Sequence, residues 1–343
     1  MNIVVLCAGI STEREVSINT GAKVCEALRS KGHNAVMVDV YFGTDKEDLF
    51  AASAENYDVD TAREEISANN SIVEETVKTR NYFFGQNVIF LCSQSDIVFM
   101  ALHGENGENG KVQATFDLMG IKYTGSGCIG SAMAMDKGIS KQIFMSNNIP
   151  TPKGVLLKKG EPSSLEEIGM TIPCVVKPCC GGSSVGVTIV ESVEEYDKAL
   201  LDSFRYENEV VIEQCVKGRE FSVGVIDGEA LPIIEIIPKE GFYDYTNKYI
   251  PGMTDDVCPA ELSSELTAKM QKIAVDVYHA LKLQSYARVD VLMNSDEEMY
   301  CLEANTLPGM TATSLLPQEA AAIGIDFPTL CDKLVEISLE KYN

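Results

Sequence analysis

Two short segments near the C-terminal end carry polar side chains two residues apart. They are Arg288 and Asp290 in "ARVDV", and Glu303 and Asn305 in "LEAN". Side chains at this spacing in a β-strand point to the same face. If the two strands pair, three oxygen donors gather beside one guanidinium group. Oxygen donors without Cys or His suit Mg²⁺, so we predict a magnesium site at Asp290, Glu303 and Asn305. For either pair alone, the alternative is a salt bridge on a solvated face.

A second segment, "VVKPCCGGSSVG" (175–186), places a lysine at the end of a buried strand, directly before a Gly/Ser-rich loop. The backbone N–H groups of such a loop can surround an anion. Lys177 precedes the glycines instead of following them, so the loop is not a Walker A motif. The alternative is an ordinary hairpin turn.

Three further motifs are weaker when taken singly. "GSGCIG" (125–130) matches GxGxxG, but it lacks the acidic residue about 20 positions later that dinucleotide binding requires, and we interpret it as a turn before the helix that carries Lys137. His103 follows a buried strand, where binding groups gather in open α/β sheets; the alternative is a turn with one ordinary surface histidine. Glu13 lies near a helix N-terminus, and the alternative to a binding role is a carboxylate that caps the helix.

The order of elements predicts an α/β protein with α+β regions. Residues 2–43 are patterned as strand–helix–strand and 95–102 as another buried strand, which is typical of a doubly wound parallel sheet. From about residue 153 the chain is β-rich, and 263–283 is patterned as a helix whose N-cap we predict at Ser263 or Ser264. Two strands follow, and the chain ends in helical segments. The acidic segment 44–81 is interpreted as an insertion without an assigned function.

Composition limits the classes of partner. A length of 343 residues allows two or three domains, and a net charge of −23 argues against nucleic acid and anionic membranes. It does not exclude ATP, because charges are screened over about 8 Å at physiological salt. Eleven scattered cysteines without CxxC spacing and three histidines predict reduced thiols in the cytoplasm and no zinc site. We see no membrane span and no signal sequence.

Taken together and in order, these segments resemble the D-alanine–D-alanine ligases of the ATP-grasp superfamily. The segments that carry the resemblance are "STEREVS", "MALHGENGENG", "YTGSG…AMDK", "VVKPCCGGSSVG", "VVIEQCVKGREFSVGV", "FYDYTNKY", "ARVDV" and "LEANTLPGMTATSLLP". The resemblance implies an N-terminal α/β domain (1–125) and two β-rich ATP-grasp domains, 126–212 and 213–343, the last with a lid loop at 241–260.

The resemblance also implies a reaction. ATP phosphorylates one D-alanine to a D-alanyl phosphate, and the amine of a second D-alanine displaces phosphate, which gives D-Ala-D-Ala for peptidoglycan precursors. The expected requirements are ATP and Mg²⁺, or Mn²⁺, in a cytoplasmic homodimer. Phosphoryl transfer needs positioning and charge neutralisation more than covalent catalysis.

By the same resemblance, each motif residue has a role. Asp290, Glu303 and Asn305 are implied to bind magnesium. The ATP phosphates are implied to be bound by Lys137, Lys177, Gly182, Ser183 and Ser184. Adenosine is implied to be bound by Glu213, Val216 and Glu220. Glu13 and His103 are implied to bind the first D-alanine, and Ser314 and Leu315 the second. Lys248 and Tyr249 lie on the implied lid loop. Arg288 and the Gly309 N–H are implied to stabilise the oxyanion, and Tyr249, Ser183 and Glu13 to form a latch that excludes water.

Some positions depart from the family pattern, namely Asn109, Gly181 and Gln214. They affect the expected nucleotide affinity and loop stiffness but not the reaction class. Three alternatives stay open: D-serine as second substrate, because one hydroxyl is weakly discriminated; another ATP-grasp carboxylate–amine ligase; and a paralogue that binds nucleotide without turnover. The Lys248-Tyr249 pair favours an amine nucleophile over D-lactate.

Overall fold

The computed structural model describes residues 1–54, 56–161, 163–182, 186–239 and 253–343. These residues form two compact units, each of which is described by itself. The first unit comprises 1–129, 283–287 and 306–343, and the second comprises 130–282 and 288–305. Among the described residues, no helix has both the length and the apolar character needed to cross a bilayer.

The elements follow one another along the chain as β1 (Asn2–Cys7), α1 (Arg14–Ser30), β2 (Asn34–Asp39), α2 (Leu49–Ser53), α3 (Val59–Ser67), a 3-10 helix (Ala68–Ile72), α4 (Val73–Thr79), α5 (Val88–Gln94), β3 (Ile97–Met100), α6 (Lys111–Met119), α7 (Cys128–Met135), α8 (Lys137–Ser146), β4 (Gly154–Lys158), β5 (Cys174–Pro178), β6 (Thr188–Val190), α9 (Val193–Ser203), β7 (Glu209–Gln214), β8 (Arg219–Ile226), β9 (Glu229–Ala230), β10 (Ile234–Pro238), β11 (Thr254–Val257), α10 (Ser264–Ala280), β12 (Tyr286–Met293), β13 (Met299–Asn305), α11 (Leu315–Ala321) and α12 (Phe327–Glu340).

The first unit is built on a parallel sheet in the order β2-β1-β3. Parallel neighbours need a crossover connection, and α1 supplies it between β1 and β2. The strands are almost entirely buried because helices cover the sheet, as their continuous apolar runs predict. Helix α12 packs against α1. The predicted parallel α/β architecture of this part is confirmed.

The segment 44–81 contains α2, α3, the 3-10 helix and α4. Asp58 is the N-cap of α3, and its carboxylate accepts hydrogen bonds from the backbone N–H groups of Asp60 and Thr61. Few of its side chains are buried, Val59 and Ile66 among them. The helices therefore pack lightly on the sheet, which explains the weak apolar periodicity in this part of the sequence.

The second unit contains two antiparallel sheets. One has the order β4-β7-β5-β6, and its core includes side chains of α9. The other has the order β11-β10-β8-β12-β13 with β9 beside β8, and α10 packs on β8, β9 and β13. Ser263 is the N-cap of α10 and accepts from the backbone N–H of Leu266, which confirms one of the two predicted caps.

Candidate active site

The late strands β12 and β13 pair as the prediction of a magnesium site required. Arg288 lies opposite Asn305, and Asp290 lies opposite Glu303, with a bulge directly after Asp290. The four polar residues therefore occupy two cross-strand pairs within one short stretch of ladder. A bulge turns the local strand direction, so the ladder changes just beyond these residues.

Asp290 is the centre of the hydrogen bonds within this stretch. Arg288 donates from Nε to Oδ1 and from Nη2 to Oδ2 of Asp290, both at 2.9 Å, and Asn305 Nδ2 donates to Oδ2 at 3.1 Å. The Arg288 and Asp290 side chains are only 14% and 5% exposed. The alternative of a salt bridge on a solvated face is therefore right about the ion pair but wrong about the solvent, because the pair is buried.

Glu303 is paired with Lys137, which lies at the start of α8. The ammonium is 3.0 Å from Glu303 Oε2 and also donates to the carbonyl of Gly181 at 2.7 Å. Burial lowers the pKa of Lys137, but the neighbouring Glu303 carboxylate outweighs it, and the pKa ends above its ordinary value. The helix carries Lys137 into place because Asp136 caps it and accepts from the backbone N–H of Ile139.

Lys177 and Glu213 lie on the adjacent strands β5 and β7, and Lys177 Nζ donates to Glu213 Oε1. A third buried charge completes the group: Lys141 on α8 lies 2.8 Å from Glu213 Oε2. Lys141 was not predicted from the sequence. Its signal was the spacing of four from Lys137, which places both lysines on one helical face.

The stem of the Gly-rich loop is held by contacts that the sequence also did not reveal. The backbone N–H of Cys180 donates to both carboxylate oxygens of Glu207, at 2.8 and 3.0 Å, and the N–H of Lys137 donates to the carbonyl of Cys179 at 2.9 Å. Burial raises the pKa of Glu207, and the bond from Cys180 and the charge of Lys137 only partly oppose it. Gly182 ends the described stem, and Ser183 and Ser184 lie outside the described residues.

The other predicted nucleotide residues lie in and directly after the connection between β7 and β8. Val216 is half-buried between the strands, and Glu220 lies on β8 opposite Ile236 of β10. The lid residues Lys248 and Tyr249 lie outside the described residues.

In the first unit, the structure brings Glu13 and His103 to neighbouring loops. Ser11 Oγ donates to the carbonyl of His103 at 2.7 Å and accepts from the N–H of Glu13 at 3.2 Å. The Glu13 carboxylate lies beside Gly104, where a Cβ atom would be 3.0 Å from Oε2. Glu13 occupies the N-cap position of α1, but among the described residues its side chain makes no capping hydrogen bond. Glu13 therefore does not cap α1 through a side-chain hydrogen bond.

Both ring nitrogens of His103 have partners, which fixes the tautomer of the neutral ring. Nδ1 is 3.1 Å from the carbonyl of Leu307, which can only accept, so Nδ1 carries the proton. Nε2 then accepts from the hydroxyl of Thr20 at 3.0 Å. The imidazole is thus held in one orientation near the end of β3.

The predicted second-substrate residues also lie together in the first unit. Ser314 precedes α11, and its hydroxyl accepts from the N–H of Thr311 at 3.1 Å. A Cβ atom at Gly309 would stand 2.8 Å from Ser314 Oγ, so only glycine allows this approach. Leu315 is buried at the first position of α11.

The donor chemistry of the β12–β13 stretch fits a hard divalent cation. It offers two carboxylates and one amide oxygen on neighbouring positions, and two cations, Arg288 and Lys137, already lie against those carboxylates. The described residues hold no group of three or more His, Cys, Asp and Glu side chains that could bind a metal. The predicted set has only two side chains of these types, Asp290 and Glu303, because its third ligand is the amide oxygen of Asn305.

Two family models together match most of the chain. Residues 2–126 match the model described as D-ala D-ala ligase N-terminus, and residues 145–336 match D-ala D-ala ligase C-terminus. The chain belongs to the D-alanine–D-alanine ligase family.

Individual members of this ligase family match over nearly the whole length. The D-alanine--D-alanine ligase of Pediococcus pentosaceus is 43% identical, with 98% of this chain and 97% of the relative covered. That of Lacticaseibacillus casei is 40% identical, with 100% and 97% covered. A crystal structure of the Bacillus anthracis ligase complexed with ATP matches with a TM-score of 0.76 and 32% identity, covering 99% of this chain and 98% of that one. The family and the fold class inferred from the sequence are confirmed.

Proposed function

We propose that this ligase joins two D-alanine molecules into D-Ala-D-Ala at the expense of ATP, through a D-alanyl phosphate, for peptidoglycan precursor synthesis. The observation that carries the proposal is the β12–β13 pairing, which sets Arg288, Asp290, Glu303 and Asn305 on adjoining positions. The relatives' names supply the substrate, and the ATP complex of the Bacillus anthracis ligase supports the nucleotide.

The chain's own cations suit the chemistry. A carboxylate becomes an electrophile once it carries a phosphoryl group, and that transfer depends on neutralising charge that spreads over the phosphoryl oxygens. Lys137 and Lys177 present ammonium groups for the phosphates, and each is held in place by one carboxylate, Glu303 or Glu213. A divalent ion held by Asp290, Glu303 and Asn305 supplies further positive charge when bound.

Arg288 is the proposed oxyanion stabiliser. Its guanidinium is fixed by two parallel bonds to Asp290, so its remaining N–H groups keep one orientation. Preorganised donors stabilise a developing oxyanion because they need not reorient during the reaction. The roles of Gly309, Glu13, His103, Ser314 and Leu315 toward D-alanine stay predictions.

The remaining proposals come from the family. They are the domains 1–125, 126–212 and 213–343, the lid at 241–260, Mg²⁺ or Mn²⁺ as the ion, a homodimer, and a cytoplasmic location. All eleven cysteines are described and free, which fits reduced thiols.

The test is ADP release with Mg-ATP and D-alanine, followed by mass spectrometry of the products formed from D-alanine, D-serine and D-lactate in competition. We expect D-alanine-dependent ADP release and D-Ala-D-Ala as the main product. Absence of D-alanine-dependent turnover would reject the proposal. Mainly D-Ala-D-Ser would favour the alternative ligase, and nucleotide binding without turnover on any D-amino acid would favour a non-catalytic paralogue.

A further inference from the structure

Three charged side chains from three elements share one buried position in the second unit. Lys141 of α8, Lys177 of β5 and Glu213 of β7 are only 6%, 7% and 4% exposed. Both ammonium groups contact the same carboxylate, one at each oxygen. Two buried cations therefore share one anion, which leaves an excess of one positive charge.

In the part of the chain that the structure describes, the neighbouring charged pairs do not remove this excess. The neighbouring buried pairs, Arg288–Asp290 and Lys137–Glu303, are each neutral. A buried excess of positive charge favours an anion nearby, because water cannot screen it there.

The two lysines differ in how completely they are held. An ammonium group has three N–H donors, and Lys141 uses them on Glu213 at 2.8 Å, Thr151 Oγ1 at 3.0 Å and the carbonyl of Pro152 at 2.6 Å. Among the described residues, the Lys177 ammonium contacts Glu213 alone. Lys141 is therefore fixed, whereas Lys177 can exchange its one partner.

We propose that Lys141 is a positioning residue that stays paired with Glu213 and so allows Lys177 to pass from Glu213 to a phosphate of the nucleotide. When Lys177 leaves, Glu213 keeps the bond from Lys141 to Oε2 and does not become a lone buried charge. Without Lys141, the departure of Lys177 would leave Glu213 unpaired, so Lys177 would stay on the carboxylate. This inference rests on the proposed binding of ATP, but not on the identity of the amino acid that is ligated.

The charges agree with this division of roles. Burial lowers the pKa of Lys141, and the nearby Lys177 adds to this, although Glu213 opposes both. Burial raises the pKa of Glu213, but the two lysines outweigh it, so its pKa ends below the ordinary value and the carboxylate stays ionised.

A different role for Lys141 is purely structural: it also ties Thr151 and Pro152 to α8. Two different substitutions of Lys141 distinguish the positioning role from the structural role. Lys141→Gln keeps hydrogen-bond donors for Thr151 and Pro152 but removes the charge, whereas Lys141→Met removes both. Lys198→Met is the control, since it removes the charge of an exposed lysine on α9.

The experiment measures the Kd of a non-hydrolysable ATP analogue by calorimetry, with thermal melting of each variant. We expect Lys141→Gln and Lys141→Met both to weaken binding by on the order of tenfold or more, and Lys198→Met to bind as wild type. Binding by Lys141→Gln at the wild-type Kd would overturn the proposal. Because no amino acid is present, the result does not depend on which ligation the enzyme performs.

A double variant gives the second measurement. If Lys141 acts by neutralising Glu213, its loss has little further effect once Glu213→Gln has removed that charge. We expect Lys141→Met/Glu213→Gln to bind the analogue about as well as Glu213→Gln alone. Weaker binding by the double variant than by Glu213→Gln alone would overturn the proposal, and this comparison needs no measurement on Lys141→Met alone.

Discussion

Asp290 shows how a single carboxylate can serve both a neighbouring side chain and an ion. It accepts two bonds from Arg288 and one from Asn305, yet it also belongs to the proposed ion-binding set. A carboxylate offers about four lone-pair positions, so these roles are compatible. One residue therefore orients the oxyanion stabiliser and contributes to ion binding.

Asp290→Asn is expected to lower kcat by on the order of 10²-fold and to raise the Mg²⁺ concentration needed for half-maximal rate. The change removes a negative charge and turns one accepting oxygen into an amide donor that faces Arg288. The measurement is ADP release over a range of Mg²⁺ concentrations. Asp276→Asn, at an exposed pair with Lys272, serves as the control. Wild-type dependence on Mg²⁺ in Asp290→Asn would count against Asp290 as an ion ligand.

For single residues, the sequence predicted the candidate site residues better than it predicted their hydrogen-bond and ion-pair partners. The two-residue spacings identified Arg288, Asp290, Glu303 and Asn305, because strand geometry is local. Lys141, Glu207 and Asn70 were missed. Asn70 accepts from Arg14 Nε at 2.6 Å, and Arg14 also forms a buried pair with Asp39 at 2.6 Å. The contacts of Glu207 and Asn70 join residues far apart in the chain, so no local pattern predicts them.

Among the elements, α9 has a complete set of N-terminal signals. Ser192 accepts from the backbone N–H of Glu195 at 3.2 Å, and the Glu195 carboxylate accepts from the N–H of Ser192 at 3.1 Å. This capping box satisfies two backbone donors that have no partner within the helix. Helix α9 packs on β5, which carries Lys177, so the cap stabilises the layer beneath the loop stem.

Ser192→Ala is expected to cost about 1 kcal/mol of stability, since one of these donors loses its acceptor. Urea unfolding followed by circular dichroism measures the shift in midpoint. Ser93→Ala, at an exposed serine near the end of α5, should change stability by less than about 0.5 kcal/mol. Equal effects of the two substitutions would contradict the role of the cap.

For the molecule as a whole, Lys341 near the C-terminus offers a test of stability against pH. Its ammonium donates to the carbonyl of Gly125 at 2.6 Å and lies 4.2 Å from the centre of the Tyr123 ring. Burial lowers the pKa of Lys341 to about 7, although Asp117 opposes the shift. Between this pKa and the ordinary value, the unfolded chain binds more protons than the folded protein.

The stability contributed at Lys341 therefore rises with pH from about 7 upward, since the folded protein no longer has to bury a charged ammonium. Relative to Lys341→Met, wild type should gain on the order of 1 kcal/mol in free energy of unfolding between pH 7 and pH 9. Urea unfolding of both proteins at the two pH values measures the difference. An unchanged difference would show that Lys341 titrates normally.

The sequence by itself determined the parallel α/β character of the N-terminal part, the side chains that share a strand face, and the family, but it did not predict α9 or β11. These follow from periodicity, caps and motif order, which act over a few residues. Only the tertiary structure decided the partners of the charges: that β12 pairs with β13 in the register that sets Asp290 against Glu303, and that Lys141 and Lys177 meet on Glu213. Strand register and helix packing bring distant residues together, and a buried charge takes its partner from whatever they place beside it.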